Sequence, residues 1–364
     1  MVGNVLPISK ALDHTHLITT KPCADVAHLL KNYGFNTTSY LALEKDKEHY
    51  FSPTQDACIS YVRHHKVSVV AGEPVCKPEV MNEVLDEYLS YCQNHQQNPI
   101  FFEVSASSLT QLKKKGFHFL KTGEEPFFDL RQFSLKGNRM ANVRSSAKTA
   151  THKGVQIRQF RPWGPGAETI AEQLKDIDQR WLHRRGMERL KFTLGSLSLE
   201  NPGDRVYFVA EQEGQVVAFV TYAPIYRRKG VYLDLMRRCD HAPTGTMDLL
   251  LITSFRLLQE MGIEIVTMGM VPLINKHYSD ASQNIYLTKL LQWLYQYGEK
   301  LYPFSSLYKF KAKFHPHWWE SKYLAYQNLG ISEINALAFA LMGKTPTQMA
   351  KAHISNLKAK ILSN

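Results

Sequence analysis

The stretch "RVYFVAEQEGQVVAFVTYAPIYRRKGVYLDLMRR", residues 205–238, reads as a hairpin-like pair of strands and a further strand. A helical "GTMDLLLITSFRLLQEMG" (245–262) and a strand "IEIVTMGM" (263–270) follow it. The same succession occurs earlier in the chain. There "SYLALEKDKEHYFSPTQDACISYVRHHKVSVVAGEPV" (39–75) leads to a helical "PEVMNEVLDEYLSYCQNHQQ" (78–97) and a strand "PIFFEV" (99–104). A single offset relates Val67 to Val231 and Pro99 to Ile263. Residue identity between the copies is poor, so the pattern is what repeats. Matched spacing over four elements predicts an α/β (α+β) fold built from two copies of one unit. The expected boundaries are a first unit over 1–130, a connecting segment over 131–160, a second unit over 161–330 and a helical tail over 331–364.

The bulk numbers are those of a globular chain: 364 residues, 44% hydrophobic and 21% charged. The net charge of +11 is less ordinary and favours an anionic partner such as nucleic acid, phospholipid or a phosphorylated substrate. A solubilising surface would carry the same charge. Five cysteines, odd in number and never spaced C-x-x-C, argue against a disulfide framework and a thiolate zinc site. The N-terminus shows no signal peptide, so a reducing cytosolic compartment is expected. The longest apolar candidate, "ALAFALMG" (336–343), is too short to span a bilayer.

Nothing between Asp129 and Glu168 is acidic, while eight basic residues stand there, Arg144 and Lys148 among them. Met140, Val143, Ala147 and Ala150 follow helical spacing, which predicts a connecting helix with a cationic side. A second basic cluster, "RWLHRRGMERLKF" (180–192), reads as helical. A third lies in "SLYKFKAKFHPHWWESKYLAY" (306–326). There Tyr308, Phe310 and Phe314 alternate with Lys309, Lys311 and Lys313, which predicts a strand with rings on the core side and three ammonium groups on the other. Three lysines on one face are a solvated surface or one wall of a positive groove; phosphate contacts need such a groove. His315 and His317 around Pro316 are weak support for a metal, and no metal site is expected.

In the second copy, the strand "GVYLDLMRRCD" is followed by "HAPTGTMDLLLI", a short turn opening a helix capped at Thr244 or Thr246. A helix start in that place receives anions, although an ordinary βα turn has the same sequence. Arg237 and Arg238 end the strand before it. Asp234, flanked by Leu233 and Leu235, needs partners in so apolar a strand. It is a cleft acid that binds an ammonium or accepts a proton, or it is half of a buried ion pair with Arg237 or a neighbour. Asp248 meets the helix dipole. The chain has no G-x-S-x-G elbow, Walker A loop, H-E-x-x-H or dinucleotide glycine fingerprint. Transfer from an already activated donor fits that absence best.

Taken in order, "SYLALEKDKEHYFSP", "VSVVAGEPV", "FLKTGEEPFFDL", "VYLDLMRRCDHAPTGTMDLLL", "VTMGMVPL" and "SLYKFKAKFHPHWWESKYLAY" resemble one family. It is the C-terminal catalytic domain of bacterial phosphatidylglycerol lysyltransferases, also called multiple peptide resistance factors. The resemblance runs from about Ser39 to about Tyr326. It implies two tandem acyltransferase units of the GNAT type and transfer of an aminoacyl group from aminoacyl-tRNA to a hydroxyl of phosphatidylglycerol. It carries over onto Asp234 and Arg237, onto Pro243, Gly245 and Asp248, onto Lys309, Lys311, Lys313 and Phe314, onto Trp319, Glu320 and Tyr323, and loosely onto Arg144 and Lys148. Lysine 322 stands where the family usually has arginine. The multi-span flippase region that usually precedes this domain is not read in these residues.

The expected catalytic groups are therefore Asp234, Arg237 and Lys311. Arg144, Lys148, Arg238, Gly245, Asp248, Lys309, Lys313, Trp319 and Tyr323 are expected to bind substrate. No cofactor is expected; the expected partners are aminoacyl-tRNA and phosphatidylglycerol or another anionic lipid. The tail, with Leu337, Phe339 and Leu341, rests on the inner membrane surface as an interfacial anchor or packs on the domain. Two other readings stand beside this one. They are a tandem GNAT enzyme with another acyl donor or a non-lipid acceptor, and a non-catalytic binder of tRNA or acidic lipid. Against acyl-CoA stands the turn "RRCDHAPTGT", which holds one glycine where a pyrophosphate loop needs several.

Overall fold

The computed structural model describes residues 21–185, 192, 195–272, 304–346 and 348. Residues 186–191 of the second basic cluster and the tail beyond Gln348 lie outside these. The first half contributes helix α1 (Lys21–Tyr33), strands β1 (Glu48–Phe51), β2 (Cys58–His64) and β3 (Val67–Ala71), helix α2 (Met81–Asn94), β4 (Asn98–Ser105), α3 (Leu109–Lys114) and β5 (His118–Asp129). The expected connecting helix is α4 (Ala141–His152), burying Val143, Ala147 and Ala150. Then come β6 (Gln156–Phe160), α5 (Ala167–Arg185), β7 (Val206–Gln212), β8 (Gln215–Ile225), β9 (Gly230–Arg238), α6 (Thr246–Glu260), β10 (Ile265–Thr267) and β11 (Val271–Pro272). Helix α7 (Phe304–Ala312), β12 (Trp318–Tyr326) and α8 (Ile331–Met342) close the described chain.

All strands of the described residues join one sheet, in the order β1-β2-β3-β4-β12-β5-β10-β9-β8-β7-β6, with β11 against β5. The repeat is visible in its two parallel pairs. β3 runs parallel to β4, with Val67 opposite Asn98, and β9 runs parallel to β10, with Gly230 opposite Ile265. A parallel pair needs a long crossover, and α2 and α6 supply it. Helix α2 buries Val84, Leu85, Tyr88 and Cys92, a stripe at helical spacing. Helix α6 buries Leu250, Leu251, Phe255 and Leu258 against Phe128, Val231 and Leu233. The halves interleave: β12, from late in the chain, lies between β4 and β5 of the early half.

The lysine-aromatic stretch departs from its expected form. Residues 304–312 are helix α7, and the strand begins only at Trp318. Phe310 and Phe314, one turn apart, meet edge to face at 5.6 Å and set the inward stripe. On that period the three lysines diverge. Lys309 is exposed, Lys311 is buried, and Lys313 pairs with Asp248. Tyr308, expected in the core, is exposed and leans on Trp319. In α8, Leu337 is buried against Val67, Ile100 and Leu324, so this part of the tail packs on the domain.

Gly245 precedes α6 at φ 89°, and a side chain there would strike the carbonyl of Ser146 in α4. Both the left-handed backbone and the close helix crossing require glycine. Gly245→Ala is expected to destabilise the fold by about 1–3 kcal/mol, measured by urea denaturation.

Candidate active site

β10 pairs with β9 only as far as Thr267 opposite Tyr232. Beyond that point Gly269, at φ 73°, turns the chain away, while β9 continues to Arg238 against β8 alone. The two strands therefore splay, opening a notch that starts at Leu233. Asp234 stands on its β9 lip. It is the extra residue of a bulge, since Leu233 and Leu235 oppose the adjacent Tyr222 and Thr221. Two more bulges flank β12, one at Phe102–Glu103 in β4 and one at Thr122 in β5. Bulges re-aim side chains, and these gather polar groups near the centre of the sheet.

A single segment covers those groups. The 3₁₀ turn Thr37–Leu43 is capped by Asn36, and Gly72 passes so close that a side chain there would meet Thr38 Oγ1. One end of the segment reaches β9. Glu44 accepts hydrogen bonds from Arg205 Nη2 at 2.7 Å, Ser196 Oγ at 2.7 Å and Ser196 N–H at 3.1 Å. Arg205 lies over the Tyr40 ring and brings Nε to 3.6 Å from Asp234 Oδ2. Asp234 Oδ1 accepts from the Gly195 N–H at 2.6 Å. Burial raises the Asp234 pKa, opposed chiefly by Arg205. Asp234 Oδ2, Arg205 Nε and Tyr232 Oη are buried without a hydrogen bond.

The other end of the segment reaches β4, β12 and β5. Glu125 accepts from Thr267 Oγ1 at 2.8 Å and Thr37 Oγ1 at 3.2 Å, and it pairs with Lys322 Nζ at 3.1 Å. Lys322 also donates to Asn36 Oδ1 at 3.2 Å. Burial alone would lower the Lys322 pKa, but Glu125, Glu73 and Glu103 hold it above its ordinary value. Helix α7 delivers Lys311 to the β10 lip of the notch, where Nζ donates to the carbonyls of Gly269 at 2.8 Å and Met270 at 3.2 Å. Burial pushes Lys311 down to about 7, against the pull of Glu125 and Glu103. Glu103 is pushed up to about 8 by burial and by the nearby Glu125. An acid on one lip and an amine that titrates near neutrality on the other can bind an ammonium and accept a hydroxyl proton.

Of the expected catalytic residues, Asp234 lies on β9 just past the end of the β9–β10 ladder, in the group of Arg205 and Glu44, and Lys311 lies just past β10, near Glu103 and Glu125. Arg237 lies further along β9, where its Nε is 2.9 Å from Asp178 Oδ1 and its guanidinium stacks on Trp181. The ion-pair partner of Asp234 is thus Arg205. Asp248 accepts from Ser146 Oγ and pairs with Lys313, so the start of α6 is packed against α4. Arg144, Lys148, Arg238 and Lys309 are exposed, with Arg144 donating to the carbonyls of Leu135 and Gly137. Trp319 is half-buried, and Tyr323 packs against the cluster of Phe101 and Phe117. Sequence reasoning missed Glu44, Glu103, Glu125, Arg205 and Lys322. Glu103 in "PIFFEV" carries the signal that exposed Asp234, an acid inside an apolar strand.

The fold is one of two α/β units, each with a parallel pair of strands bridged by a helix, in a single mixed sheet. The chain belongs to the family described as phosphatidylglycerol lysyltransferase, C-terminal, whose profile matches residues 27–326. The phosphatidylglycerol lysyltransferase of Bacillus subtilis is 30% identical over 338 residues, covering 90% of this chain and 38% of that protein. This chain thus spans little more than a third of that relative. The structure of L-PGS from Bacillus licheniformis superposes with a TM-score of 0.77 at 27% identity, covering 88% of this chain and 96% of that one. The C-terminal domain of a putative lysylphosphatidylglycerol synthetase from Agrobacterium fabrum does so at 0.74 and 25%, covering 88% and 95%. No helix among the described residues is long and apolar enough to cross a membrane.

Two stability measurements test this geometry. Arg205→Met strands Glu44 and Asp234, and is expected to cost about 3–5 kcal/mol in a urea titration. An unfolded lysine titrates near 10.4 and Lys311 in the fold near 7, so between those values the unfolded chain holds the extra proton. Lys311 therefore makes stability rise with pH across that window. In Lys311→Met, the change in unfolding free energy between pH 7 and pH 9 is expected to lose this rising component relative to the parent.

Proposed function

We propose that this chain moves an aminoacyl group from aminoacyl-tRNA to a hydroxyl of phosphatidylglycerol or a related lipid. The observation that carries the reading is the notch itself, with Asp234 on one lip and Lys311 on the other in a chain of this family. An aminoacyl ester is already activated, so its transfer needs alignment, proton removal and oxyanion stabilisation rather than energy from a nucleotide. Asp234, with one oxygen free of hydrogen bonds, receives the α-ammonium of the donor. Lys311, uncharged in a large share of molecules at neutral pH, takes the hydroxyl proton as the lipid oxygen attacks the ester carbonyl. The proton then passes to the departing tRNA 3′ oxygen. Arg237, held by Asp178, fixes α5 against β9 and so supports the lip from behind.

The exposed cations Lys148, Lys309 and Arg238, with the net charge of +11, supply phosphate contacts for a tRNA or an anionic lipid surface.

Incubation of the purified chain with charged tRNA and phosphatidylglycerol vesicles should yield aminoacylated lipid, detected by mass spectrometry. Asp234→Asn is expected to lower that rate by at least about 100-fold while the circular dichroism stays unchanged. Parental turnover in Asp234→Asn would remove the acid from the mechanism. Lys148→Glu combined with Lys309→Glu should weaken tRNA binding and flatten its salt dependence by about 0.7–0.9 in logarithmic slope per lost phosphate contact.

A further inference from the structure

Three buried polar atoms around Asp234 make no hydrogen bond among the described residues: Asp234 Oδ2, Arg205 Nε and Tyr232 Oη. Asp234 and Tyr232 are 3% exposed and Arg205 is 8% exposed. The transfer chemistry above uses the first atom and leaves the other two idle. Arg205 spends its Nη2 on Glu44, and its Nε, at 3.6 Å from Asp234 Oδ2, is beyond hydrogen-bond reach. Tyr232 lies two residues before Asp234, and its ring packs with Tyr40 and Leu41 under the covering segment. Asp234, Arg205, Glu44 and Tyr40 are the groups whose charge acts on its hydroxyl. A buried donor left unpaired costs about 1–3 kcal/mol, and two such donors beside one unpaired acceptor mark a place where a ligand completes the pairing.

A glycine keeps the space in front of these atoms clear. Gly195 donates its N–H to Asp234 Oδ1, and a side chain on Gly195 would strike Oδ2. One oxygen of the acid is thus held and the other is left approachable. The arrangement matches the head of an α-amino ester, whose nitrogen and carbonyl oxygen lie about 3 Å apart. With the ammonium on Asp234 Oδ2, the carbonyl oxygen comes within reach of Arg205 Nε. Burial, and next the charge of Asp234, push the Tyr232 pKa up, so the phenol keeps its proton and can donate it in a hydrogen bond. Tyr232 also stands between the two clusters, because it is opposite Thr267 in β10, whose hydroxyl donates to Glu125 near Lys311.

We infer that Tyr232 Oη and Arg205 Nε are the donor pair that holds the carbonyl oxygen of the transferred aminoacyl ester. This rests on the aminoacyl-transfer reading and adds to it two further catalytic residues. When the lipid hydroxyl oxygen bonds to the ester carbon, an electron pair of the C=O bond moves onto the carbonyl oxygen. That oxygen becomes an anion, and both hydrogen bonds to it strengthen. The pair returns to re-form the C=O bond as the bond to the tRNA 3′ oxygen breaks, and the proton taken from the hydroxyl goes to that leaving oxygen. Asp234 fixes the amino group, and the donors beside it meet the charge as it forms.

The test has a turnover arm and a binding arm. In the assay with charged tRNA and vesicles, Tyr232→Phe should lower kcat by about 100- to 1000-fold, with KM for lysyl-tRNA moving far less. In calorimetry, the methyl phosphonate analogue of lysine presents a tetrahedral centre with an anionic oxygen. It should bind the parent protein about 10- to 100-fold more tightly than it binds Tyr232→Phe. L-Lysine methyl ester, whose carbonyl oxygen is uncharged, should lose much less. Arg205→Lys keeps a cation for Glu44 but has no Nε donor, and it should lower kcat and phosphonate binding in the same direction. The melting temperature of Tyr232→Phe should be equal to or above the parent's, because an unpaired buried hydroxyl has been removed. Parental kcat in Tyr232→Phe would give the two donors to a buried water and overturn the inference. Equal losses for phosphonate and ester, or a lowered melting temperature accompanying the loss of turnover, would overturn it as well. If the parent transfers from no charged tRNA while its hold on the phosphonate depends on Tyr232, the aminoacyl-transfer reading fails and the donor pair stands.

Discussion

The pairing of Trp318–Tyr326 between β4 and β5 is the constraint on which the rest of this molecule depends. Without it, the sheet would break inside the early half, with β1–β4 on one side and β5, still paired with β10, on the other. With it, Lys322 is carried into the middle of the early half and neutralises Glu125, which is fully buried. Both β12 interfaces contain a bulge, where the inserted strand meets β4 and β5. The irregularities fall at Glu103 and Thr122, so the borders of the inserted strand are also where polar side chains collect.

The electrostatics follow from the same insertion. A chain with a large positive excess keeps much of that charge exposed, on Arg144, Lys148, Arg238 and Lys309. Inside, Glu44, Glu103, Glu125 and Asp234 lie buried with Arg205, Lys311 and Lys322. A cationic exterior attracts anions, whereas the buried acids and bases hold one another in pairs.

The repeat was legible in the sequence because it is written in local periodicity, and both β–helix–β crossovers lie where that periodicity puts them. The basic connecting helix was legible for the same reason. The strand assigned to Lys309–Phe314 was not, since an alternating run of five or six residues also fits a helix whose rings fall one turn apart. The insertion of β12 left no local trace at all, because it is a pairing between segments some two hundred residues apart. Asp234 was visible as an acid among leucines. Its partner was not, because Arg205 precedes β7 and reaches β9 only through the fold. Glu103 offered the Asp234 signal in a shorter strand. Lys322 lay in a segment whose reading was dominated by its tryptophans.

The late strand has a consequence for how the chain is made. A ribosome releases β4 and β5 well before Trp318–Tyr326 emerges, and until then each has a bare edge with no partner beside it. Pairings of such long sequence separation form slowly, and unpaired edges invite contact with other chains. The nascent early half therefore cannot complete its own architecture during synthesis. It waits, with apolar strands uncovered, for the closing strand to arrive, and this interval is where a holding chaperone would find its substrate.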